Sequence, residues 1–219
     1  ESIGRPTLKN IGESIEVFRV AVSREMEPVQ IATKQPSIAV LPFANMSADP
    51  ENEYFSDGLT EDILTHIARV KALKVISRTS VMQYKNTSKN LRTIGRELGV
   101  GALLEGSVRK VGNRVRITAQ LIDAENDEHL WADNFDRDLQ DIFAVQSEVA
   151  EKIAAAMHAA ITPEERAQID RAPTRNLEAY ELYLRGRYLW GQRTQESLLK
   201  AIGMFNEAIQ FDGGYSRAY

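Results

Sequence analysis

Few residues in this chain of 219 could do chemistry, and each group of them has a chemical and a structural reading. Asp57, Glu61 and Asp62 could act as paired carboxylates or hold a divalent cation. No histidine stands at ligand spacing, however, and placed at the start of a helix such side chains complement the helix dipole, which is the preferred reading. The glycines of "GRELGVG" (residues 95–101) could be taken for a phosphate loop. Phosphate cradling needs glycines before a helix and a Gly-Lys-Ser/Thr ending; here they follow a helical pattern, so Gly99 is read as a helix stop. His66, His129 and His158 are scattered singly, with no serine or carboxylate beside them in a nucleophile motif, and are read as surface or half-buried. Cysteine is absent, which excludes disulfides, thiolate zinc sites and a cysteine nucleophile.

Two further clusters have binding rather than catalytic character. Arg109, Lys110, Arg114 and Arg116 crowd one hairpin, and a basic ribbon can track phosphates. No aromatic residues interleave there and the formal net charge is -4, so no nucleic-acid contact is expected; the ribbon is read as solvated or subunit-facing. Tyr180, Tyr183, Tyr188 and Trp190 follow one helix face and are read as the core of a helical repeat rather than a ligand box. No catalytic, cofactor-binding or metal-ligating residue is assigned, and no cofactor is expected in this segment.

The elements that would position these side chains follow from hydrophobic period. "SIEVFRVAV" (residues 14–22) alternates as a strand, and "SREMEPVQIATKQP" has the polar, aperiodic character of a linker. "SIAVLPF" (37–43) is a near-continuous apolar run, the pattern of a strand buried on both faces. Phe55, Leu59, Ile63 and Ile67 recur every fourth position and predict an amphipathic helix over 53–70. "LKVISRTS" reads as a short strand, and Leu91, Ile94 and Leu98 as the face of a second helix. Gly112-Asn113 is a two-residue hairpin turn between strands at 102–111 and 114–124, and "EHLWADNFDRD" adds a third strand after a turn at 125–127. A long helical stripe over 139–161 runs through Ile142, Phe143, Gln146, Val149, Ile153 and Met157, and Pro163 opens another helix. After Pro173 the pattern is wholly helical, two helices forming a hairpin. The fold class expected is an α/β (α+β) mixed-sheet domain followed by an all-α helical hairpin.

Composition agrees with such a fold: 43% hydrophobic and 26% charged residues can build a real core. No run approaches the ~18 apolar residues of a membrane span, and the first residues lack a signal-peptide pattern. A cytoplasmic location is expected.

Three stretches resemble known families. "SIAVLPFANMSADPENEYFSDGLTEDI", "LKVISRTSV", "IGRELGVGALLEGSVRKVGNRVRITAQLIDA" and "HLWADNFDRDLQDIFAVQSEVA" resemble the TolB-like amino-terminal domain of bacterial multidomain signalling proteins. That resemblance implies a small α/β unit between an output domain and a helical array, with no catalysis of its own. The end of the chain is similar to a tetratricopeptide repeat: Ala201, Phe205 and Ala208 have its spacing and Gly186 its small residue. The turn between the helices is about three residues longer than usual, and Gly213 stands where proline is common. "LKNIGESIEVFRV" resembles the last strand of a class III nucleotide cyclase catalytic domain, with Ser14 in place of the usual proline and Phe18 in place of tyrosine.

The organisation expected is therefore the C-terminal edge of a cyclase-like domain at 1–22, a linker at 23–36, a TolB-like domain at 37–162, a connecting helix at 163–175 and a truncated repeat at 176–219. The function expected is that of a non-catalytic regulatory and scaffolding segment of a bacterial adenylate cyclase. Its partners would be a protein or peptide on the repeats and a second copy in a homodimer. The alternative is the effector part of a winged-helix transcription regulator, which would carry a basic hairpin before Pro36. An independent enzyme finds no nucleophile, metal site or cofactor loop.

Overall fold

In the computed structural model, which describes residues Gln35–Tyr219, the run Ser37–Val40 forms strand β1. Ile38 and Val40 enter one core, Ala39 enters a second core on the opposite face of the sheet, and all three are fully buried. A strand covered on both faces has no wet side for polar residues, hence the unbroken apolar run. The cyclase-like strand at 1–22 and nearly all of the linker lie outside the described residues.

After β1 the chain bends at Pro42 and resumes as the two-residue β2 (Ala44–Asn45). Lys74–Val75 (β3) pairs in parallel with β1 on one side, and Ala102–Val111 (β4) pairs in parallel with β1 and β2 on the other. Arg114–Asp123 (β5) and His129–Asp138 (β6) continue from β4 as an antiparallel meander. Among the described residues the order is β3-β1-β4-β5-β6, a mixed sheet as the sequence predicts. Gly112 turns β4 into β5 with φ +54, a conformation that a side chain would strain. Val115, Ile117, Ala119 and Leu121 are buried, while Arg114 and Arg116 face solvent, so the expected register holds. Phe43, also buried, lies across β4 at Gly106.

Glu53–Ile67 (α1) and Ile142–Ala156 (α4) pack together against one face of the sheet. Phe55, Leu59, Ile63 and Ile67 on α1 are all at 0% exposure, a burial of roughly 1.5–3 kcal/mol each. The other face is covered near β1 by Arg78–Met82 (α2) and Leu91–Leu98 (α3), through Val81, Tyr84 and Ile94. Gly99, at φ +65, ends α3 as expected, and the Asn90 side chain caps its start by accepting from Thr93 N at 2.9 Å.

Two predicted spans change. "LKVISRTS" yields only two strand residues, because Ser77 already has the extended geometry of a helix N-cap and Arg78 opens α2. The helix expected to reach Ile161 stops at Ala156, where His158 takes φ 53 and Ala159 N donates back to Ala154 O at 2.8 Å. Pro163–Ile169 (α5) follows, opened by a Thr162–Glu165 capping box.

Leu177–Gly191 (α6) and Gln195–Phe211 (α7) form the expected hairpin. Phe205 fills the space that a side chain at Gly186 would need, since a Cβ there would lie 2.5 Å from the ring. The hairpin lies directly on the α/β layers: α6 packs against α1, and Tyr180, Tyr183 and Leu184 share the main core with the sheet.

Candidate functional site

The polar centre of the described residues lies where α1, α4, α6 and the last turn meet. Asp62, in the third turn of α1, has a side chain only 4% exposed. Its Oδ2 accepts from the Tyr180 hydroxyl of α6 at 2.7 Å and from Gln146 Nε2 of α4 at 3.2 Å. Its Oδ1 pairs with Arg217 Nη1 at 2.8 Å, from the 3-10 turn Ser216–Ala218. Gln146 Nε2 also donates to the Tyr180 oxygen at 2.9 Å, closing the ring of contacts. Burial first, and then the Asp62 charge, push the Tyr180 phenol well above its usual range, so it stays protonated and donates. One buried carboxylate thus ties four elements together. The knot is incompletely satisfied, for Gln146 Oε1 and the Tyr215 hydroxyl have no partner among the described residues. Each such atom costs about 1–3 kcal/mol, against which the tight aromatic packing of Phe143 on Tyr180 and of Tyr183 on Tyr215 works.

The acidic cluster needs correcting on this geometry. α1 begins at Glu53, so Asp57, Glu61 and Asp62 sit past its first turn, beyond the reach of a dipole argument. Each is held by a side chain from another element. Asp57 takes Lys85 Nζ at 2.7 Å on both oxygens, and Glu61 takes Arg187 Nη2 at 2.5 Å and Arg78 Nε at 3.4 Å. Among the described residues no group of three His, Cys, Asp or Glu is placed to hold a metal ion.

His66 also departs from expectation: it is 2% exposed, because α1 is covered on the side away from the sheet as well. His129 and His158 are exposed. His66 Nδ1 lies 2.7 Å from Asp62 O, so the neutral ring donates there. Burial first, with Arg69 and Arg217 adding to it, lowers its pKa, against the opposing pull of the Asp62 carbonyl and charge. The unfolded chain takes up this proton near about pH 6.5 and the folded chain only at lower pH, so acidification through that window favours unfolding. We expect the melting temperature to fall between pH 7.5 and 5.5, and the fall to be smaller in His66→Gln. Equal falls in both proteins would refute the assignment.

The basic ribbon divides between two faces. Lys110 crosses to the helical side, where its ammonium pairs with Glu181 and lies 5.3 Å from the Phe55 ring centre. On the open face Arg116 makes two 2.8 Å bonds to Asp136, which hold that carboxyl below its usual range, and Arg114 reaches Asp138 at 3.5 Å. Of the four, Arg109 alone has no carboxylate partner among the described residues; its Nε donates to Met46 O. The aromatic set divides too. Tyr180 and Tyr183 are buried as expected, whereas Tyr188 and Trp190 are 38% and 39% exposed, which corrects their reading as repeat core. Arg193 stacks 3.8 Å from the Trp190 ring centre.

Sequence reasoning missed the Asp62 knot as a unit. Its trace was a polar residue within an apolar stripe, Gln146 between Ile142 and Val149, which marks a buried partner on a neighbouring element.

With this geometry established, comparison with known proteins places the chain. Residues 33–152 match the second domain of HilA/YgeH-like transcriptional regulators, and the chain belongs to that family. It is also 41% identical over 224 residues to a Rhizobium meliloti (strain 1021) protein described as "Putative adenylate cyclase 3", an alignment that covers 99% of this chain and 38% of that protein. The chain therefore spans less than two fifths of the length of this relative. Among solved structures, TolB from Acinetobacter baumannii superposes with a TM-score of 0.43 at 18% identity, covering 57% of this chain and 28% of that one. Lipoprotein GNA1162 from Neisseria meningitidis gives a TM-score of 0.42 at 20% identity, with 54% and 96% covered. Superpositions this loose bear on neither activity nor ligand. No helix of the described residues is long and apolar enough to cross a membrane.

Proposed function

We propose that this chain is a non-catalytic regulatory and scaffolding segment of a bacterial class III adenylate cyclase. The observation that carries this reading is the 41% identity to the Rhizobium protein along 99% of the chain. The cyclase-like pattern "LKNIGESIEVFRV" adds to it. On this reading residues 37–162 are a TolB-like domain, and α6 with α7 is the first unit of a tetratricopeptide array, supported by Gly186 against Phe205 and by buried Ala201 and Ala208. The mechanism is coupling. Class III cyclases build their active sites between two copies, so a downstream domain that dimerises or binds a ligand biases that assembly, while the array recruits a protein or peptide in the cytoplasm. The Asp62 knot would make hairpin and domain move as one body.

The test is deletion of residues 37–219 from the whole protein. We expect a change in basal cyclase rate, in effector response or in oligomeric state; if all three stay the same, the reading fails. A second reading, the effector part of a transcription regulator, is favoured by the family to which residues 33–152 belong. DNA binding by the whole protein, weakening steeply with salt and without cyclase activity, would establish it instead.

A further inference from the structure

Where α6 leans on α1 the two helices leave a cleft of about 380 Å³, lined among others by Tyr54, Asp57, Glu61, Arg78, Arg187 and Tyr188. That volume lies within the ~300–1,000 Å³ of small-molecule pockets. The charges around it do not balance locally. At one end Asp57 gives both oxygens to Lys85, which Glu53 also holds at 2.6 Å, so that end carries one negative charge in excess. Glu61 is shared by two guanidinium groups, Arg187 Nη2 at 2.5 Å and Arg78 Nε at 3.4 Å, which leaves one positive charge in excess beside it. Arg187 also donates to the Tyr183 hydroxyl at 3.2 Å. The terminal nitrogens of Arg78 make no hydrogen bond among the described residues, and its side chain, 39% exposed, can be reached from solvent. Two cations crowding one carboxylate repel each other, and a second anion would relieve that repulsion. The planar fork of an arginine fits a phosphate or carboxylate in two-point fashion. The remaining wall is of another character: Leu184, Met82 and the partly exposed ring of Tyr188 offer an apolar surface.

We propose that this cleft binds a small organic anion, one phosphate or carboxylate carried on a flat apolar body. The anionic end would sit on the free nitrogens of Arg78 and the body against Tyr188, Leu184 and Met82. Because the walls come from α1, α2 and α6, an occupant would clamp the helical hairpin to the α/β layers. This deepens the regulatory reading above and rests on it only for what binding achieves; binding itself needs no cyclase.

Titration calorimetry on the full chain tests the site with phenyl phosphate, phenylacetate, cyclic AMP and inorganic phosphate as probes. We expect at least one of the three aromatic anions to bind with Kd below about 1 mM, and inorganic phosphate at least about ten-fold more weakly. Arg78→Gln should weaken that binding by about ten-fold or more with the unfolding midpoint unchanged. Should that variant fold poorly, Tyr188→Ala, at an exposed ring, should show the same loss for the aromatic anions. The headgroup preferred separates a phosphate from a carboxylate ligand, and cyclic AMP alone would point to the product of a cyclase. No binding by any aromatic anion, equal binding of inorganic phosphate, or full binding in the variants would overturn the site. Binding without any effect of deletion on cyclase behaviour would sink the regulatory reading and leave the site standing.

Discussion

Asp62→Ala is expected to cost about 3 kcal/mol of folding stability, read as a fall in the urea midpoint at pH 7.5. The substitution removes the acceptor of two donors and the counter-charge of a third group at once. Tyr180 is completely buried and keeps its proton, so its O–H is left without an acceptor, although its oxygen still accepts from Gln146 Nε2. Arg217 loses the carboxylate at 2.8 Å, although its side chain, 26% exposed, can turn partly to water. That escape places the cost at the lower end of the ~3–5 kcal/mol for breaking a buried pair. Asp62→Asn keeps the shape and one acceptor and should cost clearly less. A double-mutant cycle with Arg217→Ala should return a coupling of more than about 1 kcal/mol. A cost below about 1 kcal/mol for Asp62→Ala would show that the knot is ornamental and that the hairpin is held by apolar packing alone.

The second large effect is expected at Gly106. A Cβ built there would lie inside 3.0 Å of the Thr118 carbonyl oxygen and 2.7 Å from the Phe43 ring. Neither neighbour can yield cheaply. Thr118 belongs to β5, paired with β4 along its whole length, and Phe43 is 1% exposed and anchored by its own N–H, which donates to Thr60 Oγ1 at 3.0 Å. Overpacking costs ~1–3 kcal/mol where side chains can adjust, and here backbone blocks the way, so Gly106→Val should cost about 3 kcal/mol or more. Soluble, cooperatively folding Gly106→Val protein with an unchanged urea midpoint would contradict the packing described at the β2–β4 crossing.

Much of this architecture was legible because burial on one face writes a period into the sequence. The alternation of Val115, Ile117, Ala119 and Leu121 gave the register of β5, and Gly112-Asn113 its turn. Gly99 marked the end of α3 because a left-handed residue is required there. What escaped was anything set by a partner far along the chain. α1 has an apolar stripe facing the sheet, and its other side reads as wet until α6 covers it, 118 residues away by the Tyr180–Asp62 contact. Hence Asp62, read as complementing the helix dipole, and His66, read as surface or half-buried, are both buried. The cleft was invisible for the same reason: Arg78, Glu61 and Arg187 come from three elements, and no spacing along the sequence brings them together.

The contact from Arg217 back to Asp62 also bears on how such chains can be rearranged in evolution. A helical hairpin that follows a domain can be pictured as a cassette, gained, lost or exchanged at the seam between them. Here the cation that neutralises a buried carboxylate of the α/β layers is borne by the turn after the second hairpin helix. A recombination point near residue 176 would separate a charge from its counter-charge, so the hairpin must be inherited with the domain it follows.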